Sequence, residues 1–162
     1  MGPMQITGRN DFAADPTTVY EMFVDESFLT AVCQASEAVS HDVTIAGPTT
    51  RTVRELPTPD AAAKFAGSTL KVQEDVAWGE PAADGSRDGE ITVTIPGLPV
   101  QMTGTARLAP GGRGTVIDYL GDLVVNLPFI GKKMEQAAAP ALTEAIDLQQ
   151  SVGDDWLASR AG

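Results

Sequence analysis

The two ends of this chain constrain its fold more than anything between them. Asp11-Phe12-Ala13-Ala14-Asp15-Pro16-Thr17-Thr18-Val19-Tyr20 reads as the close of a strand that runs straight into a capped helix. Asp15 is suited to accept from the free N–H groups of a first helical turn. Pro16 then falls at the first helical position, where its missing donor costs nothing. At the other end, Leu127-Pro128-Phe129-Ile130-Gly131 opens a helical pattern that persists to about residue 159. Only alternating segments and turns lie between, so the chain predicts an α+β fold. Its core is a curved antiparallel sheet of about seven strands wrapped around a long C-terminal helix, with two short helices after the first strand. A sheet of that shape commonly encloses an apolar hollow, and this hollow is the main functional lead.

The strands follow from period-2 alternation. Residues 5–12 form the first. Asp25 then caps a second short helix, with Phe28, Leu29, Val32 and Cys33 at helical spacing and an end near Ala38. Val39, His41, Val43 and Ile45 alternate with Ser40, Asp42 and Thr44, which directs His41 inward. Residues 50–56 make a more polar strand, and residues 60–65 fit either a helical turn or a loop. Leu70, Val72, Val76 and Trp78 share one face that Glu74 interrupts. Ile91, Val93 and Ile95, then Val100, Met102, Ala106 and Leu108, mark two more strands around a Pro96-Gly97-Leu98-Pro99 turn. The last strand runs from residue 115 to about 127, with Ile117, Tyr119, Leu123, Val125 and Leu127 on one face. Gly121 among them is expected to mark a bulge or bend. No repeat or linker interrupts the pattern, so residues 4–160 read as one domain.

The closing helix carries one apolar stripe: Ile130, Met134, Ala137, Ala141, Ala145, Leu148, Val152 and Trp156 recur every three or four residues. Its many alanines predict close approach to the sheet. Pro140 lies inside it and is expected to bend it or weaken one turn.

Charge excludes some functions. The formal net charge is −11, and of the 11 basic residues only Lys132 and Lys133 are adjacent. Polyanions require clustered Lys and Arg, so neither nucleic acid nor an anionic membrane surface is an expected partner. Cys33 is the only cysteine, which rules out an internal disulfide and fits a reducing compartment. No basic segment followed by an apolar run opens the sequence, and nothing approaches the roughly 20 apolar residues of a spanning helix. A cytoplasmic location without stable membrane insertion is expected.

The run Phe12-Ala13-Ala14-Asp15-Pro16-x-x-Val19-Tyr20-x-x-Phe23-x-Asp25 resembles the strand-to-helix entry of the START-like superfamily, also called SRPBCC or the polyketide cyclase and birch-pollen-allergen-like group. Leu127-Pro128-Phe129-Ile130-Gly131-x-x-x-Glu135 and Gly153-Asp154-Asp155-Trp156-Leu157 are similar to the start and close of the last helix in an uncharacterised actinobacterial branch. With the strand order, the likeness covers nearly the whole chain. It implies a helix-grip fold with a hydrophobic tunnel between sheet and helix. Members bind lipids, sterols, polyketides or hormones, and some cyclise or hydrolyse them. No catalytic set is shared across the superfamily, and none is carried over here.

Each residue with possible chemistry also has a plain structural reading. His41 is the only histidine, so it is either the sole imidazole for acid–base work or a histidine half-exposed at a strand start. One histidine does not make a metal site. Cys33 reads as a buried apolar residue, with a pairing to His41 as the reactive alternative. Glu74 is a polar handle inside the sheet within reach of Arg54, or a charge on an exposed edge. Tyr119 offers an apolar wall with a hydrogen-bonding tip, and Trp78 and Met102 join it or simply fill a core. Asp118 and Asp122 fall on the opposite face and read as solvent-side charges. Gly111-Gly112-Arg113-Gly114 precedes a strand and lacks the lysine and serine of a phosphate loop, so it is a turn.

These observations predict a binder of a small hydrophobic ligand, contacted by Tyr119, Trp78, Met102, Met134 and Leu148, with His41 and Glu74 as polar contacts. No cofactor, metal or catalytic residue is assigned. A non-catalytic interaction scaffold with a filled interior stands as one alternative. A cyclase- or hydrolase-type enzyme using His41 or Glu74 is the other.

Overall fold

The computed structural model describes residues 2–161. In chain order it comprises β1 (Met4–Phe12), α1 (Pro16–Phe23), α2 (Glu26–Ala35), β2 (Ser40–Ala46), β3 (Thr49–Pro57), a one-turn α3 (Ala63–Ala66), β4 (Thr69–Trp78), β5 (Arg87–Thr94), β6 (Val100–Gly111), β7 (Gly114–Val125) and α4 (Gly131–Ala161). The strands form one curved antiparallel sheet in the order β1-β7-β6-β5-β4-β3-β2. The first strand therefore pairs with the last, and α1 and α2 carry the chain from one edge of the sheet to the other. Two short helices after the first strand and a long closing helix complete an α+β fold.

Local chemistry sets the helix starts. The Asp15 carboxylate accepts from the Thr18 N–H at 3.1 Å, and the Asp25 carboxylate accepts from the Ser27 N–H at 2.7 Å. Both helices then bury one face. Val19, Met22 and Phe28 lose all exposure and pack with Phe12, Leu108 and Ile117 of the sheet. Phe23 sits among Phe12, Phe28 and Trp78 with ring centroids 5.1–6.2 Å apart, in tilted or edge-on pairs. This cluster fills one end of the concave face solidly.

Helix α4 docks against β1. A Cβ built on Gly8 of β1 would lie 2.6 Å from Ile146 Cδ1, and one on Gly153 of α4 would strike the Phe12 ring. The two glycines thus set how closely helix and sheet approach. Polar bonds fix the register: the Gln150 side chain accepts from the Asp11 N–H at 2.8 Å and donates to the Asp11 carbonyl at 2.8 Å.

Several boundaries differ from the sequence expectation. Val39 lies outside β2 and is 67% exposed, because α2 ends at Ala35 and Glu37 turns the chain with φ 60°. β7 stops at Val125 and α4 starts at Gly131, since Phe129 adopts φ 67° and turns the chain between them. Gly121 marks no bulge: β7 pairs without interruption with β1 and β6, and Gly121 stands opposite Gly104. What Gly121 supplies is space, for the Met102 sulfur occupies the position its Cβ would take. Pro140 leaves α4 continuous as a 31-residue helix.

Candidate functional site

Beyond the packed aromatic end, sheet and α4 leave a pocket of about 520 Å³ between them. Strand β4 contributes Leu70, Val72, Val76 and Trp78, all of one parity. Ile91 and Val93 of β5, with Ile95 just beyond its end, continue the wall, because Val76 pairs with Ile91 and Glu74 with Val93. Across the pocket, α4 presents Ala137, Ala138, Ala141 and Ala145. The alanines lie opposite a sheet region that itself contains Gly104 and Gly121. The short alanine side chains of α4 leave open the space above the Val, Leu and Ile side chains of the sheet. The alanine-rich stripe, expected to bring helix and sheet together, does so only where Gly8 and Gly153 allow it.

Of the residues singled out from sequence, Trp78, Met102, Tyr119, Leu148 and Glu74 border this pocket. Trp78 forms the boundary with the filled end, 6% exposed and packed edge-on against Tyr20 and Phe23. Met134 and His41 are not among the lining residues. Met134 lies one turn before the alanines. The inward reading of His41 is corrected: it has the parity of the concave face, opposite Arg54, but β2 is the sheet edge and the residue is exposed. The Cys33–His41 pair gains no support, since Cys33 is buried with its thiol pushed up by burial while His41 stands in solvent.

Glu74 is not an edge residue either. β4 lies inside the sheet between β3 and β5, and Glu74 is half-buried facing the pocket. Surrounding protein atoms desolvate its carboxyl and raise its pKa, an effect Arg54 partly offsets. Tyr119 is pushed well above the usual phenol range by burial, with the Glu74 charge adding to it, so it stays a neutral donor. Its hydroxyl donates to Asn10 Oδ1 at 2.8 Å, and Asn10 Nδ2 donates to the Ile146 carbonyl at 2.9 Å. The tip expected to meet a ligand is therefore engaged in tying β7, β1 and α4 together.

Two residues with structural weight went unnoticed in the sequence. Asn10 is fully buried at the centre of that link. Glu135 is 3% exposed and accepts from the Val125 N–H at 3.0 Å and from Lys132 at 3.2 Å, joining the end of β7 to the start of α4. A polar residue at an inward position of an apolar strand is the signal that would have found Asn10. Glu135 lies in a quoted motif but carries no local mark of burial.

Among the described residues no group of three or more His, Cys, Asp or Glu is placed to hold a metal ion, and no helix is long and apolar enough to cross a membrane. Residues 7–157 match the family described as "Protein of unknown function (DUF2505)". The chain belongs to the DUF2505 family. The uncharacterised proteins Mb0491c of Mycobacterium bovis and Rv0481c of Mycobacterium tuberculosis are each 28% identical to this DUF2505 chain over 120 residues, covering 72% of it and 67% of their own length. Its fold is similar to that of TTHA0849 from Thermus thermophilus, with TM-score 0.68, 16% identity, and coverage of 98% and 100% of the two chains. Ms6760 from Mycobacterium smegmatis is also similar in fold, with TM-score 0.62, 13% identity, and coverage of 98% and 93%.

Proposed function

We propose that this DUF2505 chain is a START-like carrier that holds a small hydrophobic or amphipathic molecule between its sheet and α4. The observation that carries this reading is the pocket of about 520 Å³, walled mainly by aliphatic side chains. Its size falls within the few hundred to about 1,000 Å³ typical of sites for small organic ligands. Burying apolar ligand surface would supply roughly 25 cal/mol per Å², less the cost of ordering the ligand. The scaffold alternative requires a filled interior, so an open pocket speaks for carriage. The enzyme reading loses its imidazole, because His41 lies outside the lining residues.

Native mass spectrometry of the purified protein, followed by thermal melts against a library of lipids, sterols and polyketide-like compounds, tests the proposal. A co-purified hydrophobic molecule, or stabilisation by a subset of the library, is the expected result. A bare protein that no apolar compound stabilises would sink it.

A further inference from the structure

The pocket has one polar end. Arg54 of β3 pairs across the sheet with Val72, and Glu74 lies two residues further along β4 on the same face. Both border the main pocket. Both also border an adjoining recess of about 30 Å³, lined in addition by Thr52, Cys33, Val32 and Gln149. That volume is near what one small polar group occupies. Arg54 and Glu74 form no ion pair with each other within 4.0 Å, and the ion pairs among the described residues all engage other groups. A guanidinium facing an apolar chamber without a carboxylate in contact is an unfilled recognition position, since its planar fork matches a two-oxygen acceptor.

Resting on the reading above, we infer that the ligand is a long-chain carboxylic acid, its apolar chain lying under the alanines of α4 and its carboxylate seated at Arg54, beside Glu74 and Gln149. The charge balance favours an anion. The Arg54 guanidinium carries a fixed positive charge, whereas burial opposes ionisation of Glu74 and so weakens the repulsion that a carboxylate would meet beside it. The Gln149 amide and the Thr52 hydroxyl add donors at the same end. An amine would meet the guanidinium's repulsion in a low-dielectric recess. A neutral alcohol would leave the fork half-used.

Isothermal titration of the intact protein at pH 8, where the ligand acid is ionised, separates the possibilities. Dodecanoate is expected to bind at least about tenfold tighter than dodecan-1-ol, the difference a charge-assisted hydrogen bond provides. In Arg54→Gln that ratio is expected to fall below about twofold. Equal affinities in the wild-type protein, or tighter binding of dodecylamine, would overturn the carboxylate assignment and leave the carrier reading standing. Failure of all three probes, together with failure of the apolar library, would overturn both. The wild-type comparison needs no variant, so a folding defect in Arg54→Gln does not shield the inference.

Discussion

Single residues decide where this interior is satisfied and where it is open. Asn10 has no exposure, yet its amide is matched at both ends, by the Tyr119 hydroxyl and the Ile146 carbonyl. Tyr119→Phe removes the donor and leaves a buried oxygen without a partner. The expected cost is about 1–2 kcal/mol in urea unfolding, with little effect on ligand affinity. Loss of affinity with no loss of stability would show that the hydroxyl serves the ligand instead. Glu74 gives a pH signature. Its folded pKa lies above its ordinary value of 4.5, so the native state holds its proton more tightly than the unfolded chain does. The resulting penalty is absent below that ordinary value, grows as pH rises through the window up to the folded pKa, and is complete above it. Glu74→Gln is therefore expected to be more stable than the wild type at pH 7. The gain should vanish toward pH 4, as read from denaturation midpoints across that range. A gain independent of pH would mean that the carboxyl is solvated.

At the scale of elements, the helix–sheet spacing rests on two glycines. A Cβ at Gly153 would lie 3.0 Å from Phe12 Cζ and 3.2 Å from Met22 Cε, both in the packed end. Gly153→Ala is expected to destabilise by about 1–3 kcal/mol despite alanine's better helix propensity, because overpacking outweighs the backbone gain. A stabilised variant in thermal melts would show that α4 does not press on that core. The order of elements was legible in the sequence because its signals are local: Asp15-Pro16 and Asp25 name their helices, and alternation names each strand. The pocket's wall was legible for the same reason, since Leu70, Val72, Glu74, Val76 and Trp78 share a parity. What alternation does not encode is position within the sheet. His41 has an inward parity, but an edge strand has no neighbour on one side to cover it. The long-range register that sets Arg54 against Val72, and the side-chain bonds of Asn10 to Tyr119 and Ile146, were beyond local reading as well.

For the whole molecule, the concave face is divided into a filled half under α1, α2 and the last turns of α4, and an open half under the alanines of α4. Substituting large for small should therefore have opposite effects in the two halves. Ala141→Phe projects a ring into open volume, so it is expected to change stability by less than about 1 kcal/mol while lowering ligand affinity at least about tenfold. Melts and calorimetric titrations check the two halves of that statement. An affinity matching the wild type would place the ligand elsewhere. The central claim is that the hollow between sheet and α4 is where an apolar molecule resides, and methyl-labelled NMR during titration with dodecan-1-ol tests it most directly. The account predicts shifts at Leu70, Val72, Ile91, Ile95 and Leu142, with Val19, Leu108 and Ile117 in the filled half unmoved. Saturating probe with still methyls in the first group, or shifts confined to exposed Val39 and Val124, would contradict it.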